Sequence, residues 1–334
     1  MKILFVFTGG TIGSTAGEHY ISPDPRKSYG LLSEYAQRYP VDFAYDVLEP
    51  YTELSENNTG ETLGELLRAV APHLTAYDGI VITHGTDTLQ YSSAALGYLT
   101  GSDSIPVCLV SANYPIEDHR SNGIANLRAA ICFIAQQAGR GAFTVYRNVG
   151  DPAPKVYRAT RLLAGAAFTD RLDAAMDQPY GFFDEDFRFV NNPWYGEETD
   201  ALLLPPCLDL KADCTHILRL APHPGMRYPA LDDDVRYVLL DSYHSGTVNT
   251  KSETARTFFK LAASKGISVF LTGATGERTY ESTRAYAELG ITPLVRIAPI
   301  AAYLKLWLYA DSKIDAHTVL HLSRGGDVIP FIDR

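Results

Sequence analysis

The chain reads Ile3-Leu4-Phe5-Val6-Phe7-Thr8-Gly9-Gly10-Thr11 near its start, an apolar run that passes directly into a turn with two glycines. A continuous apolar run of this kind predicts a strand that is buried on both faces. Paired glycines let the backbone approach a ligand closely and present its N–H groups. Because ligands bind at the carboxyl ends of strands in open α/β sheets, the turn predicts part of a binding site.

Further apolar runs of the same kind alternate with helical patterns along the chain. Strands are predicted over 79–83, 107–111 and 142–146, and helices over 61–74, 88–99 and 124–137. The alternation resumes later, with strands predicted over 216–220, 235–240, 267–271 and 293–297 and helices over 250–264, 279–289 and 300–309. Strands that alternate with helices predict an α/β fold built on a mostly parallel, doubly wound sheet.

The composition changes after Phe189, where the segment 191–213 is rich in Asn, Pro, Gly and acidic residues. Such a stretch is typical of a linker. We therefore predict a larger N-terminal domain over 1–190, a linker over 191–213 and a smaller C-terminal α/β domain over 214–334. A chain of 334 residues is long enough for two domains, at roughly 100–200 residues each.

Bulk properties narrow the class of protein. The net charge is −10 and no long basic run occurs, which argues against a nucleic-acid partner. No apolar stretch approaches the roughly 20 residues that span a bilayer, and no cleavable leader is recognisable, so no membrane partner is expected. Four scattered cysteines without a C-x-x-C pair favour a reducing compartment, and the predicted location is cytoplasmic.

A second polar turn follows the predicted strand Gly79–Thr83 and reads His84-Gly85-Thr86-Asp87-Thr88. One of these side chains would be enough to cap the following helix, which is the simplest structural interpretation. Four polar side chains in one turn exceed that need, and Asp87 is suited to hold a ligand ammonium group. The sequence has neither the G-x-G-x-x-G fingerprint of dinucleotide binding nor a P-loop, so no such cofactor is predicted.

The two turns together resemble the signatures of the bacterial-type L-asparaginase/glutaminase family. The resemblance extends to Tyr20 in a loop, to Ser55 and Glu56, and to Thr247 in a turn of the second domain. In length and linker position the chain is most similar to the cytoplasmic type I branch. The resemblance implies a small-molecule amide substrate, such as L-asparagine, and a homodimer or homotetramer in which Thr247 approaches the site of a neighbouring subunit.

The resemblance also implies covalent catalysis through a threonine ester. A threonine hydroxyl is a weak nucleophile, so it needs a base or a polarising partner. Thr11 with Tyr20 would form one catalytic group and Thr86 with Asp87 the other. Backbone N–H groups near Gly85 would stabilise the oxyanion. The implied substrate-binding residues are Gly10, Ser55, Glu56, Gly85 and Thr247, and no metal or other cofactor is expected.

The family's catalytic lysine has no clear counterpart. The matching position holds Ala164 or, with another gap placement, Arg161, and Lys155 lies earlier in the same region. Arginine carries protons poorly because its pKa stays above about 12. Three functions therefore remain open: hydrolysis of L-asparagine to L-aspartate and ammonia, hydrolysis of another aspartyl or glutamyl amide, and non-catalytic amino-acid binding.

A pair of histidines is the other candidate for a metal site. His317 and His321 lie four residues apart on a predicted helix. They lack the neighbouring glutamate of a His-Glu-x-x-His motif, so a packing role is favoured and no metal is predicted.

Overall fold

The computed structural model describes residues 1–9, 14–16, 21–23, 25–274 and 280–330. The strands are β1 (Lys2–Phe7), β2 (Ser14–Ala16), β3 (Ile21–Pro23), β4 (Ala44–Leu48), β5 (Gly79–Thr83), β6 (Val107–Val110), β7 (Ala142–Tyr146), β8 (Lys155–Arg158), β9 (Gly181–Phe183), β10 (Phe189–Asn191), β11 (Ile217–Leu220), β12 (Tyr237–Leu240), β13 (Ser268–Leu271) and β14 (Ile291–Pro293). The α-helices are α1 (Pro25–Arg38), α2 (Gly60–Val70), α3 (Leu89–Thr100), α4 (Gly123–Ala135), α5 (Glu253–Ser264), α6 (Tyr286–Leu289), α7 (Pro299–Leu308) and α8 (Ala316–His321).

The larger sheet has eight strands in the order β10-β9-β8-β7-β6-β5-β1-β4. From β4 to β7 neighbouring strands run parallel, and β8, β9 and β10 continue the sheet with antiparallel pairings. In register, Phe5 of β1 lies between Val47 of β4 and Val81 of β5. Since β4 and β5 flank β1 on opposite sides, the chain reverses its winding direction there, and a crevice opens at the carboxyl ends of β1 and β5.

Helices cover both faces of this sheet, which explains why its central strands are apolar throughout. Side chains from α2 and α3 form one core with alternate residues of β1 and β5, such as Leu4 and Ile80. Side chains from α1 and α4 form a second core on the other face, around Phe5 and Val81. The prediction of a mostly parallel, doubly wound sheet is confirmed.

A smaller parallel sheet, in the order β11-β12-β13-β14, forms the second part of the fold. It shares the first core with the large sheet, because α7 packs against α3. Within this contact the Nζ atom of Lys305 lies 2.6 Å from Asp327 Oδ2, and both side chains are fully buried. The Tyr98 hydroxyl of α3 donates to the same carboxylate oxygen at 3.1 Å. A buried ionic group therefore joins the two parts of the fold.

The observed elements differ from the predicted ones in several places. The strand predicted over 293–297 was wrong: β14 begins at Ile291, directly after Gly290 ends α6 in the left-handed region at φ 68°. Of the helix predicted over 279–289, the described part is a 3₁₀ turn over Glu281–Ala285 followed by the short α6. The segment from β10 to β11 is described throughout and contains no helix or strand, and the domain boundaries at 190 and 214 stay a prediction.

None of the helices in the described part of the chain combines the length and the apolar character that a bilayer crossing requires.

Candidate active site

The crevice between β1 and β5 is closed at its base by contacts between the two strand ends. The buried Thr8 hydroxyl donates to the Thr83 carbonyl at 2.7 Å. Gly9 pairs with Glu53 through a backbone bridge and adopts φ 95°, a conformation that favours glycine. A Cβ atom on Gly9 would lie 2.5 Å from the Glu53 carbonyl oxygen, so a larger residue cannot occupy this position without displacing the backbone.

His84 is buried beneath the second turn and supports it as a neutral ring. Its Nδ1 lies 2.7 Å from the Gly85 carbonyl oxygen, which can only accept, so Nδ1 carries the proton. Burial lowers the pKa of His84, which favours the neutral form. Nε2 then accepts from the hydroxyl of Ser92 at 2.8 Å and from the amide of Asn58 at 3.3 Å. These contacts fix the orientation of the peptide that precedes Thr86.

The predicted substrate-binding residue Ser55 and the predicted catalytic residue Asp87 are brought together. The Ser55 hydroxyl donates to Asp87 Oδ2 at 3.3 Å and accepts from the Asp87 backbone N–H at 3.1 Å. Thr88 is the N-cap of α3 but makes no side-chain capping bond. Its hydroxyl instead donates to the Ser55 carbonyl at 2.9 Å. The polar side chains of this turn therefore hold the Ser55 segment against it and do not cap the helix.

A cavity of about 370 Å³ opens beside Thr86 and Asp87. It extends to the loop 165–172, and its walls also include Leu89, Gln90 and Tyr146. Thr86 is half-buried and Asp87 is exposed, so both are accessible to a small ligand. The volume lies at the lower end of the range of about 300–1,000 Å³ that is typical of small-molecule sites.

The remaining predicted site residues differ in where they lie. Gly10, Thr11 and Tyr20 lie outside the described residues. Glu56 is exposed on the 3₁₀ turn beside Ser55, and Gly85 is buried between His84 and Thr86.

Thr247 lies elsewhere, in a turn of the smaller sheet, where its carbonyl accepts from the Tyr243 backbone N–H at 2.8 Å. Within the described ranges, no hydrogen bond joins Thr247 to Ser55 or Asp87.

Neither basic residue considered as a replacement for the lysine points into the crevice. The buried Arg161 guanidinium donates to the carbonyls of Gly326, Gly196 and Val328 at 2.7, 2.8 and 2.9 Å. Lys155 pairs with Asp151 at 2.8 Å. Among the described residues, neither forms a hydrogen bond or ion pair with Thr86 or Asp87. Ala164 is exposed in the loop that borders the cavity.

Sequence reasoning missed five polar residues of the cavity wall, namely Gln90, Tyr146, Thr169, Asp170 and Arg171. Arg171 pairs with Asp173, and this hydrogen bond raises its pKa. Tyr146 ends a strand at the edge of the sheet where ligands bind, and this position could have identified it as a candidate site residue from the sequence. Gln90 had none, because a single polar residue inside a helical pattern is usually surface-exposed.

The histidine pair does not form a metal centre. Over the described ranges, no group of three or more His, Cys, Asp or Glu side chains is placed to hold a metal ion. The rings of His317 and His321 stack in parallel, with centroids 5.5 Å apart. One nitrogen of each ring has a hydrogen-bond partner: the Thr292 hydroxyl lies at His317 Nε2, and His321 Nδ1 lies at the His317 carbonyl oxygen.

Comparisons with known proteins show which proteins this chain is similar to. An L-asparaginase of Thermococcus kodakarensis is 36% identical over 153 residues, which are 44% of this chain and 44% of that protein. A component of the glutamyl-tRNA(Gln) amidotransferase of Thermoplasma acidophilum is 26% identical over 321 residues, which are 91% of this chain and 74% of that component. The match thus spans less than half the length of the first relative and about three quarters of the second.

A solved structure, the thermostable L-asparaginase from Thermococcus kodakarensis, superimposes with a TM-score of 0.78 at 21% identity. The superposition covers 99% of this chain and 100% of that one, which shows a shared fold. The family profile described as Asparaginase, N-terminal, matches residues 2–179, more than half of the chain. That segment contains β1, β5 and both polar turns at the crevice. The chain therefore belongs to the asparaginase family.

Proposed function

We propose that the chain is an amidohydrolase that converts L-asparagine and water to L-aspartate and ammonia. The observation that carries this proposal is the pairing of Ser55 with Asp87 beside Thr86, where Thr86 and Asp87 border a cavity beyond the carboxyl end of β5. A hydroxyl next to a carboxylate offers a donor to the α-carboxylate and a counter-charge to the α-ammonium of an amino acid. Glu56, exposed on the same turn, would add a second acceptor.

The proposed chemistry proceeds through a threonine ester. The hydroxyl oxygen of Thr11 or Thr86 attacks the side-chain carbonyl carbon, and its proton passes to the amide nitrogen. The C–N bond breaks, ammonia leaves, and water then hydrolyses the ester to release aspartate and restore the hydroxyl. Backbone N–H groups near Gly85 would stabilise the oxyanion, a contribution of about 3–4 kcal/mol per donor in preorganised sites. His84 supports this step by fixing the Gly85 carbonyl.

The test is ammonia release from asparagine, glutamine and small aspartyl amides. We expect Thr86→Ala and Thr11→Ala to lose more than a hundredfold in kcat. Ser55→Ala should mainly raise KM, because it removes a contact to the amino-acid head. Thr254→Ala, which makes the same change at an exposed position on α5, is the matched control and should leave the kinetics unchanged. Equal rates in wild type and the two threonine variants would refute the proposal.

Two other functions are separated by the same assay. Hydrolysis of a different aspartyl or glutamyl amide is favoured by the extra cavity space beside the loop 165–172, and it predicts turnover of such amides with asparagine spared. Non-catalytic amino-acid binding is favoured by the direction of Arg161 and Lys155, which leaves the threonine group without the family's lysine. That function predicts asparagine binding without ammonia release from any amide.

We also propose that the chain acts in the cytoplasm as a homodimer or homotetramer. All four cysteines are free, which suits a reducing compartment. The exposed turn near Thr247 would then complete the site of a neighbouring subunit. Light scattering at working concentration should give a dimer or tetramer, and a monomer with full activity would contradict the shared site.

A further inference from the structure

Two polar side chains line the cavity from buried positions. Tyr146, at the carboxyl end of β7, is 1% exposed, and its hydroxyl has no hydrogen bond in the described part of the chain. Gln90, in the first turn of α3, is 4% exposed, and its side-chain nitrogen lies beside Gly165 of the loop that borders the cavity. Both line the cavity that Thr86 and Asp87 border.

The buried Tyr146 hydroxyl requires an explanation. Most buried donors and acceptors in folded proteins are paired, and an unpaired one costs about as much as a lost hydrogen bond. The Asn122 oxygen accepts from the Asn113 backbone N–H, and one Asn122 side-chain N–H donates to the Arg147 carbonyl. The second N–H, near Tyr146, can only donate, so the Tyr146 O–H is left without an acceptor. Packing alone would be served equally well by phenylalanine at 146 and by leucine at 90.

Their placement matches the second end of an amino-acid amide. Ser55 and Asp87 meet beyond the carboxyl end of β5, and β7 lies two strands away, about 10 Å along the sheet edge. Gln90 follows Asp87 in the first turn of α3 and packs beside Gly165 of the loop. A ligand whose head lies at Asp87 therefore directs its other end toward Gln90 and Tyr146.

We propose that Gln90 and Tyr146 bind the carboxamide of the substrate, which makes them specificity-determining residues of the site. The Gln90 side-chain oxygen accepts from the amide N–H, and the Tyr146 hydroxyl donates to the amide carbonyl. Neither residue makes or breaks a covalent bond. The inference rests on the proposed function and adds to it the recognition of a primary amide in the absence of the family's lysine.

The experiment compares L-asparagine with L-aspartate β-methyl ester, which keeps the carbonyl but has no amide N–H. In Gln90→Leu, kcat/KM for asparagine should fall about 2- to 13-fold, the value of one neutral hydrogen bond, while the ester is unaffected. In Tyr146→Phe both substrates should be affected by a similar factor. Gln90→Glu retains a side-chain oxygen that can accept from the amide N–H. Its kcat/KM for asparagine should therefore stay closer to the wild-type value than that of Gln90→Leu.

Tyr286→Phe provides the matched control. It removes another buried hydroxyl without a partner, in the core of the smaller sheet, and should leave both substrates unaffected. Thermal unfolding should show that Tyr146→Phe is at least as stable as wild type, which separates an effect on the substrate from misfolding. Unchanged kinetics in both cavity variants would overturn the proposal, because neither side chain would then contact the substrate amide.

A wild-type chain that hydrolyses neither substrate would contradict the proposed function. The inference is then tested by calorimetry, which measures the affinity of wild type and variants for asparagine and aspartate. Weaker asparagine binding in Gln90→Leu, with aspartate binding unchanged, supports the inference on its own. Equal asparagine affinity in wild type and both variants, or no binding by wild type, overturns it.

Discussion

Replacement of Arg161 by lysine tests whether this position takes part in catalysis. The Arg161 guanidinium donates to three carbonyls and lies 4.4 Å over the Tyr195 ring. A lysine ammonium is a single point and cannot reproduce the planar fork, so about two of the three bonds are lost. At about 1.5–3 kcal/mol for each bond to a charged donor, Arg161→Lys should destabilise the protein by about 3–6 kcal/mol.

Activity is the discriminating readout for this change. Because no contact joins Arg161 to Thr86 among the described residues, Arg161→Lys should not raise the rate of asparagine hydrolysis per folded molecule. Stability is measured by urea unfolding, and activity at a temperature at which both proteins are folded. Arg68→Lys, an exposed arginine that donates to the Leu208 carbonyl, is the control and should cost less than about 1 kcal/mol. A tenfold gain in activity with retained stability would refute the reasoning.

Three buried or constrained residues give further predictions. Lys305→Met should cost about 3–5 kcal/mol because it leaves the Asp327 carboxylate buried and uncompensated, and the double variant with Asp327→Asn should recover part of that loss in urea unfolding. Because the pKa of His84 is lowered in the folded state, the unfolded chain takes up a proton at a higher pH than the folded chain. As the pH is lowered past about 6.5, the free energy of unfolding should therefore decrease by up to about 1.4 kcal/mol per pH unit. The slope should be smaller in His84→Asn. Gly9→Ala should cost at least about 1–3 kcal/mol, measured by thermal unfolding, because it strains the backbone and collides with Glu53; a stability equal to wild type would contradict the required conformation.

The sequence predicts the central strands well because burial on both faces requires a continuous run of apolar residues. Continuous apolar runs such as Gly79–Thr83 and Ala142–Tyr146 match β5 and β7 in both bounds. Edge strands show a weaker sequence pattern. The residues of β4 are mostly exposed, since β1 is its one partner among the described strands, and nothing in its composition separates it from a loop. The antiparallel strands β8 to β10 were missed for a different reason, because runs of three or four residues are too short to show a period, even where they are buried as in β8.

The candidate site is predictable only where residues form a local motif. Resemblance identified Ser55 and Asp87, and the fold brings them into contact across 32 positions. Gln90 and Tyr146 were not recognised, because their significance lies in the cavity that they line together, which depends on tertiary structure. The partners of Arg161 could not be inferred either, since two of the three carbonyls are at least 165 residues away in the sequence.

The positions of the carbonyls that Arg161 and Thr160 bind also determine when these contacts can form during translation. Gly325 and Gly326 are translated 165 residues after the side chains that they satisfy. At about 5–20 residues per second, that interval is roughly 8–33 s. During this time the Thr160 hydroxyl lacks its native acceptor, and the Arg161 guanidinium has only the Gly196 carbonyl of its three. These contacts are therefore completed only when the segment 325–328 has emerged.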